Sequence, residues 1–383
     1  MGKEGKGRRA GKGAESEKDD EPRLMKWVGW ATAGISFIVA LQQVIQLVSD
    51  GRERTRQIVE LERTAGLQQE ARNYKGAWAS VERALEVAEP GGQLAKLTGQ
   101  LGDERRRLRE AQERLAMVWL ENLRVNSEAG ETFSDLVGPL DPVLARGIAN
   151  GSGAHKADLL AHVGWANFLK WREGDRRLNP DEQYGQALAV DAGNPYGQAY
   201  RAHWMLWTRR EAALPDAKTH FEAALASGRV TPHVRGIQLS ALRNLGSDGE
   251  AEFVAAVNDM RVKSETIDSQ TRSDLYVIYS QACVLRYDAE RFARFAAAVP
   301  VADQLVTFRA VFLGADEAGA DDFRRAGAQA CLAHLLEAAG QPDQALPVWA
   351  ALSEKYPPRD GNRLGDRARD AIARLRRGRP TRP

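Results

Sequence analysis

The feature that most constrains this chain is a small–large–small triplet that recurs at helical spacing in segments far apart. It is Ala77, Val81 and Ala84 in NYKGAWASVERALEVAEP, and Ala217, Phe221 and Ala224 in LPDAKTHFEAALASG. In QPDQALPVWAALSEKYP it is Ala345, Trp349 and Leu352. Steps of four and three put the triplet on one helix face, where the small residues admit a neighbouring helix and the large one fills the gap. A fourth segment, NPDEQYGQALAVDAGNP, keeps Tyr184 and Ala187 but has Pro180 in place of the first alanine. There Asn179, Pro180 and Glu182 read as N-cap, first-turn proline and capping-box acid. That helix ends at Val190-Asp191, Gly193-Asn194 supplies turn conformations, and Pro195 opens the next helix at once. A single helix pair cannot bury its apolar face, so the pattern demands pairs stacked on pairs.

These residues resemble the tetratricopeptide repeat, a helix-turn-helix unit of about 34 residues. The stretch ALAVDAGNPYGQAY is similar to the family's ALELDPNNPEAW joint, with Ala192 where proline usually stands. Units are read near 58–91, 195–228 and 327–358, with a degenerate one ending near Val190 and eroded versions (VRGIQLSALRNLG, LYVIYSQACVLRY, RFARFAAAVP) over 232–310. The resemblance implies an all-α, tetratricopeptide-like helical-hairpin solenoid over 131–378 whose work is protein binding. It implies no cofactor and no catalytic residue. Two segments depart from the pattern. Residues 93–125 read as one long amphipathic helix, with Leu94, Leu97, Leu101, Leu108, Leu115 and Val118 on a stripe and dense Arg and Glu opposite. It reads either as a coiled-coil arm or as a helix along the solenoid, with Arg105 and Ala111 interrupting the seam. The segment from Asp366 to about Arg377 reads as a polar capping helix followed by a basic tail.

The N-terminus has a different character. Residues 1–22 are rich in glycine and charge, with too little apolar surface to offset the entropy of ordering, and read as a disordered tail. From Trp27 to Ser49 no charged residue occurs, a length that spans a bilayer core of about 30 Å. We therefore expect a single-pass transmembrane anchor within 23–50, although Gln42, Gln43 and Gln46 dilute its second half. A cleaved signal peptide fits less well, because Ala31-x-Ala33 comes too early in the apolar run. Gly29, Ala33, Ser36, Ala40 and Gln43 share one face of this segment, which suits close helix packing and a homodimer. Lys3, Lys6, Arg8, Arg9, Lys12, Lys18, Arg23 and Lys26 precede it, against Arg52, Arg54, Arg56 and Arg63 after it. That balance predicts an inner-membrane protein with everything after residue 50 on the periplasmic side, the alanine- and arginine-rich usage suggesting a bacterial source.

The remaining expectations are mostly negative. With 54 basic and 52 acidic residues the net charge is +2, which argues against a nucleic-acid partner. The chain lacks a Walker phosphate loop, HExxH, a nucleophile elbow, paired CxxC and a dinucleotide fingerprint. Cys283 and Cys331 sit in apolar helical contexts and read as buried small side chains, a disulfide between them remaining open. His155, His162, His203, His220, His233 and His334 are spread over many segments and read as packing or surface residues, not a metal cluster. Aromatics are densest at 165–207, where Trp165, Phe168, Trp171, Tyr184, Tyr196, Tyr200, Trp204 and Trp207 alternate with arginines. They read as packing between helices. The functional alternative places Tyr200, Arg201, His203, Trp204 and Trp207 along a partner-binding groove. The sequence thus reads as a non-enzymatic, membrane-tethered scaffold, with 51–130 as juxtamembrane helices including the first repeat unit. A self-associating assembly component and an enzyme with an unrecognised helical site are the alternatives.

Overall fold

The computed structural model describes residues 49–89, 101–125, 127–283, 287–312, 322–357 and 363–377, together with Gln42 and Gln46. The tail, most of the expected anchor and its packing face at Gly29, Ala33, Ser36, Ala40 and Gln43 lie outside the described residues. So does the basic tail beyond Arg377. The fold is all-α: every regular element among the described residues is helical. Among them no single helix is long and apolar enough to cross a membrane. Packing divides the chain into two compact units, with the break between Trp119 and Leu120.

In the first unit, α1 (49–70) is followed by α2 (Tyr74–Ala88) and α3 (Gly102–Glu121), whose last two residues belong to the second unit. Asn73 caps α2 by accepting from the Gly76 amide at 3.1 Å. Ile58, Ala84, Ala88, Leu101 and Leu108 form the unit's buried core, and Trp78 meets Trp119 with ring centroids 5.8 Å apart. Of the long helix expected over 93–125, residues 93–100 lie outside the described residues, and the described helix covers part of the remainder. It starts at Gly102, because Leu101 stands at φ 59°, and it stops at Glu121.

Among the described residues the second unit holds fourteen further α-helices. They are α4 (Phe133–Val137), α5 (Asp141–Asn150), α6 (Gly153–Arg172), α7 (Pro180–Val190), α8 (Pro195–Arg209), α9 (Leu214–Ala226) and α10 (Thr231–Asn244). Then follow α11 (Glu250–Val262), α12 (Ser269–Cys283), α13 (Ala289–Ala298), α14 (Val301–Phe312), α15 (Asp322–Ala338), α16 (Pro342–Lys355) and α17 (Arg363–Arg377). One continuous apolar cluster runs through this unit from Leu160 to Ala371. The triplets supply its anchors: Ala217, Phe221, Ala224, Ala345, Trp349 and Leu352 are all buried, as are Tyr184 and Ala187. In the first unit Ala77, Val81 and Ala84 are buried likewise. Helix α8 packs against α6, α7, α9 and α10, and α16 lies between α15 and α17. Helices α13 and α14 turn by 97° at their junction. Cys283 at the end of α12 and Cys331 in α15 form a disulfide, Cα atoms 5.3 Å apart, which closes the question the sequence left open.

The joint between α7 and α8 is built by its polar side chains. Asp191 Oδ1 accepts from the Gly193 amide at 3.1 Å, and the Asn194 amide donates back to the Asp191 carbonyl at 3.0 Å. Asn194 then caps α8, its Oδ1 accepting from Gly197 N at 2.8 Å, and Pro195 occupies the first turn. A Cβ on Gly197 would lie 3.2 Å from Leu188 Cδ2, a tight contact that the leucine would have to relieve by a small shift. At the start of α7, Asn179 and Pro180 hold the expected positions, but the Asn179 side chain makes no cap hydrogen bond, so no capping box forms with Glu182.

A Cβ on Gly164 of α6 would fall 2.4 Å from the Tyr184 ring, whereas one on Gly185 of α7 would meet nothing within 4 Å. In urea titrations Gly164→Ala should lose about 1–3 kcal/mol, and Gly185→Ala should gain roughly 0.5–1 kcal/mol. Asn194→Ala removes a cap and leaves buried groups unpaired, so it should cost about 2–4 kcal/mol in the same titration.

Candidate functional site

Helix α8 carries every residue that the sequence places in a partner groove, and the structure distributes them around the helix. Tyr200 is wholly buried, stacked on Trp165 at 4.7 Å. His203 is also buried, between Trp165, Phe168 and Trp207. Trp207, by contrast, is 36% exposed. Arg201 and Trp204 face another side: Arg201 Nε donates to Asp181 Oδ1 at 3.1 Å, and Trp204 stands edge-on to Trp171 at 5.0 Å. A single groove through all five is therefore not formed. At about 100° per residue, neighbouring positions 200–201 and 203–204 point to different sides of α8.

The face of α8 near its N-terminus meets a buried polar network. Asn194 Nδ2 donates to Asp158 Oδ1 at 2.6 Å, and Arg229 donates to Asp158 Oδ2 at 2.7 Å, so both oxygens of that carboxylate are held. One turn along α6, His162 Nδ1 lies 2.7 Å from the Asp158 backbone carbonyl and its Nε2 lies 3.1 Å from Glu121 Oε1. A carbonyl only accepts, so Nδ1 carries a proton, and the Nε2–Oε1 contact needs a second. Glu121 is held below the usual carboxylate range: burial acts to raise it, and the bond from His162 and the charges of His233 and His162 outweigh that. The Tyr200 hydroxyl lies within hydrogen-bond distance of His233 Nε2, at 2.9 Å, and burial pushes its pKa well up, so it stays protonated. His233 Nδ1 lies 3.7 Å from Glu121 Oε2, and burial pulls His233 down to about 4 despite that carboxylate.

The sequence gives few signals for this network. Asp158 and His162 share a helix face at i, i+4, but Glu121 and Arg229 stand 41 and 71 residues from their partners. Of the six histidines, the structure brings His162 and His233 together through Glu121 and Tyr200. Among the described residues no group of three or more His, Cys, Asp or Glu is arranged to hold a metal ion.

Two cavities flank the C-terminal half of α8. One, of about 350 Å³, is lined by Arg201, Trp204, Met205, Arg209 and His220 with Asp181 and Asp216. Its acids and bases partly neutralise each other. The other, of about 320 Å³, is lined by His203, Leu206, Trp207, Arg210, Ala241 and Asn244. His203 is drawn down to about 4, by burial first and the Arg172 charge second, and its Nδ1 has no hydrogen-bond partner. Arg210, the C-cap of α8, stands at φ 53° and ψ −138°, where non-glycine residues are strained. A third cavity, of about 400 Å³, lies beside Arg235, which is buried and paired with Asp259 and Glu265. No family model, no curated protein and no solved structure matches the chain.

The histidines set the pH response. The unfolded chain takes up protons below about 6.5, while folded His203 and His233 resist until about 4. Their stabilisation is therefore complete above about pH 6.5 and lost as pH falls toward 4, at roughly 1.4 kcal/mol per pH unit per histidine. Glu121 acts in the same direction, its contribution vanishing as pH falls through its lowered value. Denaturation midpoints at pH 7, 5.5 and 4.5 should fall steeply, and His233→Gln should reduce that slope. Arg210→Gly relieves the strained φ and should raise stability by about 1 kcal/mol, readable as a higher Tm.

Proposed function

We propose that this chain is a membrane-tethered, tetratricopeptide-like adaptor that binds a protein partner on the outer side of the membrane. The observation that carries the reading is the packing of α8 against the two helices before it and the two after it, the arrangement that stacked helix pairs require. The recurring buried triplets and the capped α7–α8 joint support it from the sequence side. The uncharged segment 27–49 serves as the tether, with Gly29, Ala33, Ser36, Ala40 and Gln43 as its packing face. Two features favour an oxidising compartment for the helical region: the excess of basic residues before the tether, and the Cys283–Cys331 disulfide. Tethering raises the partner's effective concentration at the bilayer.

The test uses the full chain in cells. Carbonate extraction should leave it with the membrane, and deletion of 27–49 should release it. Maleimide should label Cys283 and Cys331 only after denaturation and reduction; labelling under denaturing conditions without reductant would sink the periplasmic placement. A photo-crosslinker at the exposed Trp207 should yield a discrete adduct with one other protein. Adducts containing only this chain would replace the adaptor with a self-assembling component.

A further inference from the structure

The cavity at the C-terminal ends of α8 and α10 combines three features that the packing of the fold does not need. Arg210 lines it from a strained backbone position and makes no ion pair among the described residues. Trp207 lines it while remaining 36% exposed, although the rest of the aromatic cluster is turned inward. His203, also on its wall, is 4% exposed and has a ring nitrogen with no partner. Buried polar atoms in native proteins are nearly always satisfied, so the unpartnered ring nitrogen sets this wall residue apart from the packed histidines of the network. Arg172 adds charge beside the cavity, its guanidinium 5.4 Å from the Trp207 ring centre and likewise without an ion pair.

We propose that this cavity binds a small planar carboxylate, its flat apolar body against Trp207, Leu206 and Ala241 and its carboxylate on Arg210 and Asn244. The size and donor set select that class. At about 320 Å³ the space is at the small end of ligand cavities, which run from about 300 to 1,000 Å³. One guanidinium and one amide match a single carboxylate, for which a planar fork of N–H donors is the natural partner. A neutral histidine can offer one further N–H without adding charge. An aromatic or otherwise flat body gains most from an indole wall. The inference goes beyond the adaptor reading and does not rest on it, since the cavity can fill whether or not a protein docks.

The experiment titrates the full chain in detergent with indole-3-carboxylate, using indole and acetate as controls, by calorimetry and saturation-transfer NMR. Indole-3-carboxylate should bind saturably at one site. Indole, lacking the charge, and acetate, lacking the ring, should each bind at least about tenfold more weakly, a difference of about 1.4 kcal/mol. Arg210→Gln should weaken the carboxylate about tenfold and leave indole unchanged. Arg210→Gly provides the control for folding, because it should lose the carboxylate preference while melting no lower than the parent. Equal affinity for indole and indole-3-carboxylate would overturn the proposal, as would undiminished binding by both arginine variants. So would the absence of saturable binding at millimolar probe.

Discussion

The second unit depends on the side chain of Asn194. Its oxygen caps α8 and its nitrogen holds Asp158 of α6, so one buried amide fixes where α8 begins and which part of α6 it faces. The other oxygen of Asp158 is taken by Arg229, from the loop just before α10. Helices α6 and α8 and the loop before α10 are thereby referred to one carboxylate. A buried charge of this kind is strongly unfavourable unless paired and hydrogen-bonded, so the arrangement tolerates little displacement. Once α8 is set, Tyr200 is set against Trp165 and within reach of His233.

This anchoring divides α8 along its length. Its first half is enclosed by Asp158, His162, Glu121 and His233, groups whose charges and protons are matched within the fold. Its second half leaves Trp207, Arg209 and Arg210 at the surface beside two cavities. Rigidity at one end and unpaired side chains at the other are what a binding element needs, because ordering costs are met by the fold before any ligand arrives. The aromatic density that stands out in the sequence is thus two populations, a packed one around Tyr200 and an available one around Trp207.

Much of this was legible from the residues. The spacing of Ala217, Phe221 and Ala224 announced a helix and its buried face, because one helix period relates the three. Asp191 to Pro195 announced a turn and a restart, because each residue's local chemistry suits its place there. What stayed hidden depends on distant parts of the chain. Glu121 looks like one more acid on a charged helix until His162 is placed beside it. The direction of each α8 side chain was fixed by periodicity, but which sides are covered depends on α6, α7, α9 and α10 together. The start of α3 just after Leu101 goes with a backbone event, φ 59°, that no proline or glycine at that position signals.

The C-terminal half of the unit is secured differently, and this bears on where the chain can work. The disulfide joins α12 to α15 across 48 residues, and chain entropy alone makes such a link worth about 4 kcal/mol. Arg367 of α17 donates to the Cys283 carbonyl and meets His334 Nε2 at 3.2 Å, so the last helix is docked onto the residue that carries the bond. His334 is itself enclosed by Tyr287 and Trp349, and burial together with Arg367 pulls it down to about 3, keeping it neutral beside that guanidinium. Reduction would therefore loosen α12, α15 and the seat of α17 together, while the Asn194–Asp158 joint involves no sulfur. A disulfide across this half suits a compartment that keeps cysteines oxidised, in line with the periplasmic placement proposed above.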